Sequence, residues 1–356
     1  MVAFEARMAL ALALAGQSGC ASEQASSPPL PEPLWRGEHL RFRTNAAEPL
    51  CGGTLAYMDG LVPLLATALE VPIPDLVDFY WHPAPLGGTS CPAQAAGCWD
   101  GKMVWSRLVP HDHEIVHAIT SSLGKTDRMV EEGIAVVYGD DGAIVEWYEV
   151  PMHEPETLIA LDDASVGADV YTSAAHLTRF MLDRHPMDSL HAFWRSTPRS
   201  ATRDEFTSSF ALSFGETWDD FAAAYRDYPS CIRGAIRMKV SECPAPSVPW
   251  DGDTWHTALD LSCEAVDIVG PTQGLMWKTV TLDIPRGGRY LLEVVGAGDA
   301  AVALARCDAG CDGGFAENLY SGQARVRELL AGHYYAKFWR WVDEPGPLEL
   351  FISPEM

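Results

Sequence analysis

The chain changes rhythm at Pro244-Ala-Pro-Ser-Val-Pro249, and this constrains its fold more than any other feature. Before that segment, apolar residues recur mostly at helical spacing. After it, they alternate in short runs bounded by glycine-rich turns. A single packed unit rarely switches period so abruptly, so the proline-rich segment reads as a boundary. The expected organisation is a leader over 1–20, a flexible Ser/Pro/Glu tether over 21–34, an α+β domain over 35–243 and an all-β sandwich over 250–356.

Within the first domain, strands are expected at 39–44, 75–81 and 102–108, with a helix at 55–70 between the first two. Helices follow at 111–123 and 128–138. Gly124 and Gly139 stand just after them, where a glycine commonly ends a helix. A strand-like stretch at 143–150 precedes helices at 171–184, 187–194, 204–210 and 218–225. The second domain should hold strands at 278–284, 288–295, 300–306, 324–330, 334–341 and 348–352.

The formal net charge is −24, from 25 Lys and Arg against 49 Asp and Glu. Such a surface repels phosphate backbones and anionic membranes, so nucleic acid is not an expected partner. The apolar run from Met8 to Ala15 is too short to span a bilayer but suits a signal peptide. Ser18-Gly19-Cys20 looks like the end of a bacterial lipoprotein signal, although Gln17 stands where an aliphatic residue is usual. Export follows on either reading, to the cell envelope or the outside. A lipid on Cys20 is the one expected membrane attachment; otherwise Cys20 is an ordinary residue of a discarded leader.

Setting Cys20 aside leaves eight of the nine cysteines, an even number suited to disulfides in an oxidising compartment. Close spacing suggests Cys91–Cys98 and Cys231–Cys243, with Cys263 bonded to Cys307 or Cys311.

The chemistry concentrates in His113-Glu114-Ile115-Val116-His117. Two histidines four apart on a helix share one face, a turn apart, and can grip one metal ion. Glu114 then lies beside the open coordination position, placed to take a proton from metal-activated water. Fifteen positions after His117, Glu132-Gly133-Ile134-Ala135 falls on the next helix, so a carboxylate can complete a His2Glu set. Gly133 lets two helices approach closely. Glu131 is the alternative ligand.

The span from about 38 to 230 resembles the gluzincin peptidases, the group of thermolysin and aminopeptidase N, through His113-Glu114-x-x-His117 and Glu132-Gly133-x-Ala135. The resemblance implies a zincin-like fold with one Zn2+ held by His113, His117 and Glu132, and Glu114 as general base. Asp169-Val170-Tyr171-Thr172-Ser173-Ala174-Ala175 resembles the Tyr-led helix start of the aminopeptidase N branch, where the phenol stabilises the oxyanion; carried over, that donor is Tyr171. Gly101-Lys-Met-Val-Trp105 takes the place of the family's substrate-pairing edge strand. Many members carry an acidic residue four positions after the glutamate ligand. Here that residue is Val136, so support for the ligands must come from elsewhere, with Asp112 or a backbone carbonyl as candidates. His111 reads as a cap or surface residue, and His176 as structural or substrate-facing.

Residues 250–356 resemble the pre-peptidase C-terminal β-sandwich, through the turns feeding Tyr290 and Tyr334. Trp339 and Trp341 are either packed or exposed for binding. Together these features imply a secreted zinc metallopeptidase acting on peptide or protein substrates, and an endopeptidase because nothing marks an amine pocket. The alternative is a catalytically silent zincin-fold binding protein at the cell surface.

Overall fold

The structure, a computed structural model, describes residues 30–87, 89–139, 152–161, 168–230, 233–308, 310–311 and 316–355. The leader, Cys20, Cys231 and the strand-like stretch expected at 143–150 lie outside the described residues.

The first part is mixed α+β. Its sheet has the order β1-β2-β3-β5-β4, with β1 Trp35–Arg36, β2 Leu40–Thr44, β3 Val77–Trp81, β4 Gly97–Trp99 and β5 Val104–Ser106. β2, β3 and β5 run parallel. Helix α1 (Thr54–Ala68) makes the crossover from β2 to β3 that a parallel pair requires. Leu40, Phe42, Phe79 and Val104 are fully buried, and they share one core with Ile115 and Val116 of helix α2 (Asp112–Thr120). β5 is buried at all three of its positions and β3 at four of five, whereas β2 buries Leu40 and Phe42 and leaves Arg41, Arg43 and Thr44 partly exposed.

The expected edge position of residues 101–105 needs correction. β5 is internal, and β4 covers it as an antiparallel edge, with Cys98 opposite Trp105. Three residues closed by the Cys91–Cys98 disulfide are too few to show an alternating pattern.

α3 (Arg128–Tyr138) follows α2 and is capped by the Asp127 side chain, which accepts from the Met129 amide. Beyond α4 (Pro155–Ile159), α5 (Ala168–Arg184), α6 (Met187–Ser196), α7 (Arg203–Phe214) and α8 (Trp218–Tyr225) gather an aromatic core. Phe193, Phe206, Phe210 and Trp218 meet there mostly edge to face. α7 starts with a capping box between Thr202 and Glu205 and ends at Gly215 with φ 74°. Gly139 is different. It follows α3 in extended conformation, so no turn demands a glycine; its role is to make room, as shown below.

After the short helix α9 (Arg233–Ile236), β6 (Trp255–Leu261), β7 (Val269–Thr272), β8 (Leu275–Ile284), β9 (Gly288–Gly296), β10 (Ala300–Arg306), β11 (Ala316–Tyr320), β12 (Ala324–Leu329), β13 (Gly332–Trp341) and β14 (Gly346–Pro354) build two antiparallel sheets, in the orders β11-β10-β13-β8-β7 and β12-β9-β14-β6. Leu282, Val302 and Tyr334 of the first sheet share one core with Trp255, Leu292 and Leu350 of the second, which makes a sandwich. Tyr290 opens β9 (Gly288–Gly296) and Tyr334 opens β13 (Gly332–Trp341). Each hydroxyl donates to the carbonyl four residues upstream, of Arg286 at 2.7 Å and Leu330 at 3.0 Å. The two turns feeding tyrosines are thus structurally equivalent.

The five-stranded sheet is buried on both faces: every residue of Ala300–Ala305 in β10 is buried, as are Tyr334–Arg340 of β13. Trp339 is therefore packed and Trp341 half-buried. The supposed linker is strapped down, since Val248 donates to the Thr281 carbonyl and Thr281 to that of Pro246.

The disulfides add a further join. Cys91–Cys98 forms as spacing suggests, whereas Cys243 bonds Cys307 and Cys263 bonds Cys51; Cys311 is also disulfide-bonded. This corrects the proposed Cys231–Cys243 pair and both partners proposed for Cys263. Nearness in sequence lost to tertiary placement. The amides of Cys51, Gly52 and Gly53 donate to the carbonyls of Gly270, Cys263 and Ile268, so the approach to α1 lies against the sandwich. Among the described residues, no helix is long and apolar enough to cross a membrane.

Candidate metal centre

α2 starts where β5 ends, after the turn through Val109 and Pro110, and His111 takes the N-cap position. His111 stands at the helix start as expected of a cap, but it is not a surface residue and its side chain does not cap. It is buried, and its Nδ1 lies 2.7 Å from Ser106 Oγ instead of capping the helix.

His113 and His117 point the same way from successive turns, and Glu132 meets them from α3. Nε2 of His113 lies 3.1 Å from Nε2 of His117. Glu132 Oε2 lies 3.2 Å from the first and 3.3 Å from the second. A tetrahedral ion with bonds of about 2.0–2.1 Å holds its ligand atoms about 3.3 Å apart. The donor set and its spacing therefore fit one divalent metal. Among the described residues, this is the one cluster of three or more His, Cys, Asp or Glu so arranged.

Glu132 is buried. Burial alone would raise its carboxyl, but hydrogen bonds and charge from His113 and His117 outweigh that and hold it well below the usual carboxylate range. Its other oxygen, Oε1, accepts from Arg128 Nε at 3.3 Å, one turn earlier on α3. Arg128 leaves Oε2 turned to the histidines. An arginine four residues before the glutamate was the signal for this partner. Glu131 is occupied elsewhere, taking the Thr126 amide at 3.1 Å and Arg199 at 3.4 Å.

Glu114, the residue after His113 on α2, is buried. The edge strand presses on it through Gly97, where a Cβ would come within 2.8 Å of Glu114 Cγ and 2.7 Å of the His111 ring. Gly133 works differently from expectation. A Cβ there would meet Thr178 Oγ1 at 2.2 Å and the Ala174 carbonyl at 2.7 Å, so it admits α5 rather than α2. That approach brings Tyr171 onto the site. Its ring stacks on His113 with centroids 5.9 Å apart and an interplanar angle of 12°. Burial, then the Glu132 charge, raises its pKa despite Arg128, so the phenol keeps its proton.

Val136 is buried in the core. Asp112 Oδ2 accepts from Tyr57 at 2.6 Å. His176 is structural: Nδ1 lies 2.6 Å from Tyr225 Oη and Nε2 2.9 Å from the Pro229 carbonyl. A separate cavity of about 500 Å³ lies between Trp81, Arg107 and Val109 on one side and Pro271 and Val342 on the other; no metal-site residue lines it.

No family model matches the chain, and no curated protein matches it in sequence. Solved structures match part of the chain at low likeness. The pre-peptidase C-terminal domain of a Bacillus anthracis collagenase is 10% identical, over 31% of this chain and 94% of its own, with a TM-score of 0.23. PliG of Aeromonas hydrophila, a periplasmic inhibitor of g-type lysozyme, is 14% identical over 31% of this chain and 96% of its own, also at 0.23. Likeness at that level carries no argument about function. What stands is an α+β part with a buried His2Glu cluster, joined by disulfide and packing to a β-sandwich.

Proposed function

We propose that this chain is an exported zinc-dependent peptidase of the gluzincin kind. The observation that carries the reading is the triangle of His113 Nε2, His117 Nε2 and Glu132 Oε2, with edges of 3.1–3.3 Å and with the buried Glu114 following His113 in the chain. Zinc held there would supply Lewis acidity and a water nucleophile at neutral pH. The other roles belong to the chain. Glu114 takes the proton from the attacking water and returns it to the leaving amine. Tyr171, kept as a phenol, donates to the developing oxyanion. The outer edge of β4 offers backbone groups to an extended peptide, and the sequence marks no amine pocket, which favours an endopeptidase. The disulfides suit an oxidising compartment, so export supports an enzyme acting on peptides outside the cytoplasm.

One observation favours a second reading, a silent binding protein at the cell surface. Val136 provides no carboxylate to orient a ligand imidazole. A single comparison separates the two. The zinc-loaded protein should cleave a broad peptide library, and Glu114→Gln should keep the metal and lose cleavage. Zinc binding without cleavage in the wild type would leave the binding protein standing.

A further inference from the structure

Tyr57 lies on α1, outside the metal centre, and touches three separate parts of the molecule. Its hydroxyl donates to Asp112 Oδ2 at 2.6 Å, in the first turn of the helix that carries His113 and Glu114. Its ring meets Trp277 of the sandwich edge to face, with centroids 4.9 Å apart. Lys337 Nζ sits 4.1 Å from the centre of that same indole. Ser241 Oγ lies 3.2 Å from the phenol oxygen and 3.1 Å from Glu242 Oε2, and its single proton serves one of them. Glu242 in turn accepts from Arg237 at 2.8 Å, and Arg237 Nε donates to the Gly139 carbonyl at 3.2 Å. Gly139 packs directly on the His113 backbone.

Two arms thus converge on His113. One comes through Tyr57 and Asp112, the residue immediately before it. The other comes through Arg237 and Gly139. Both start in the sandwich or in the segment leading to it. Burial, with the charges of Asp112 and Glu242, raises the Tyr57 pKa, so the phenol remains a donor. A carboxylate at the first position of a helix is favoured by the helix dipole, and a fixed donor settles where that carboxylate sits.

We infer that Tyr57 is a positioning residue for the metal centre, through which the β-sandwich holds the helical turn carrying His113 and Glu114. The inference rests on the metal-binding reading above and is independent of any substrate. It makes the sandwich part of the centre's scaffold rather than an appended module.

The test is the zinc affinity of the full chain, measured by competition with a chromogenic chelator, beside the thermal midpoint of the metal-free protein. Tyr57→Phe keeps the ring on Trp277 and removes only the hydroxyl. It should weaken zinc binding about tenfold, the lower end for groups that support metal ligands from outside. Trp277→Leu acts from the sandwich side and should weaken binding in the same direction, which keeps the test open should Tyr57→Phe fail to fold. Affinities within about twofold of wild type in the folded variants, whatever their midpoints, overturn the inference. Absence of zinc binding in the wild type would instead remove the metal reading on which it stands.

Discussion

Replacing Gly139 by alanine tests the packing behind the metal centre with a single methyl group. A Cβ at Gly139 would lie 2.6 Å from both Cα and N of His113 and 2.5 Å from the Ala135 carbonyl oxygen. Alanine adopts the local backbone, φ −95° and ψ 151°, without strain, so any effect comes from contact alone. Gly139 cannot simply recede, because Arg237 Nε holds its carbonyl. His113 must therefore withdraw by about 0.8 Å to reach the closest ordinary contact of 3.4 Å. Metal sites tolerate shifts of about 0.2 Å in ligand distance. The variant should lose about 1–3 kcal/mol of stability, as for other overpacked sites, and at least about tenfold in zinc affinity. Urea unfolding gives the first number and chelator competition the second. Gly60→Ala is the control: it lies exposed in α1 with nothing within 4 Å, and should be neutral or stabilising by up to about 1 kcal/mol. A Gly139→Ala protein with wild-type zinc affinity and a stability change below about 0.5 kcal/mol would refute the reasoning.

Three further outcomes follow. Removing the Cys51–Cys263 bond, which spans 212 residues, with a double Cys→Ala variant should cost up to about 5 kcal/mol, read as a lower urea midpoint; no change would deny that this join matters. Glu132→Gln should abolish tight zinc binding whereas Glu131→Gln should leave it intact, and the reverse result would exchange their roles. Burial lowers the His176 pKa from 6.5, so the unfolded chain takes up that proton at higher pH than the folded one. Its contribution is complete above 6.5 and erodes as the pH falls below it, a slope that His176→Gln should flatten in urea midpoints measured on either side.

Much of this arrangement was legible in the residues. The break at Pro244–Pro249 separated helical from alternating periodicity, and β10 and α8 fall where spacing put them. His113, His117 and Glu132 converge because helical geometry fixes the first two and a short connection returns the chain for the third. Other features left no local signature. β4 is three residues long, below any periodic window. Cys51 and Cys263 meet through the docking of α1 on the sandwich, which spacing along the chain cannot encode. Lys337 and Thr281 are polar yet buried, Lys337 over the Trp277 ring and Thr281 beneath the segment at Ala245 and Pro246, contacts that alternation along the chain does not encode. Tyr57, far from the motif in sequence, reaches Asp112 because α1 packs beside α2.

His113, His117 and Glu132 are expected to hold one metal ion. Elemental analysis after zinc loading and removal of excess should give about one zinc per chain in the wild type and in Glu114→Gln. His117→Ala and Glu132→Ala should retain almost none. Zinc-free wild type, or equal zinc in all four proteins, would contradict the account.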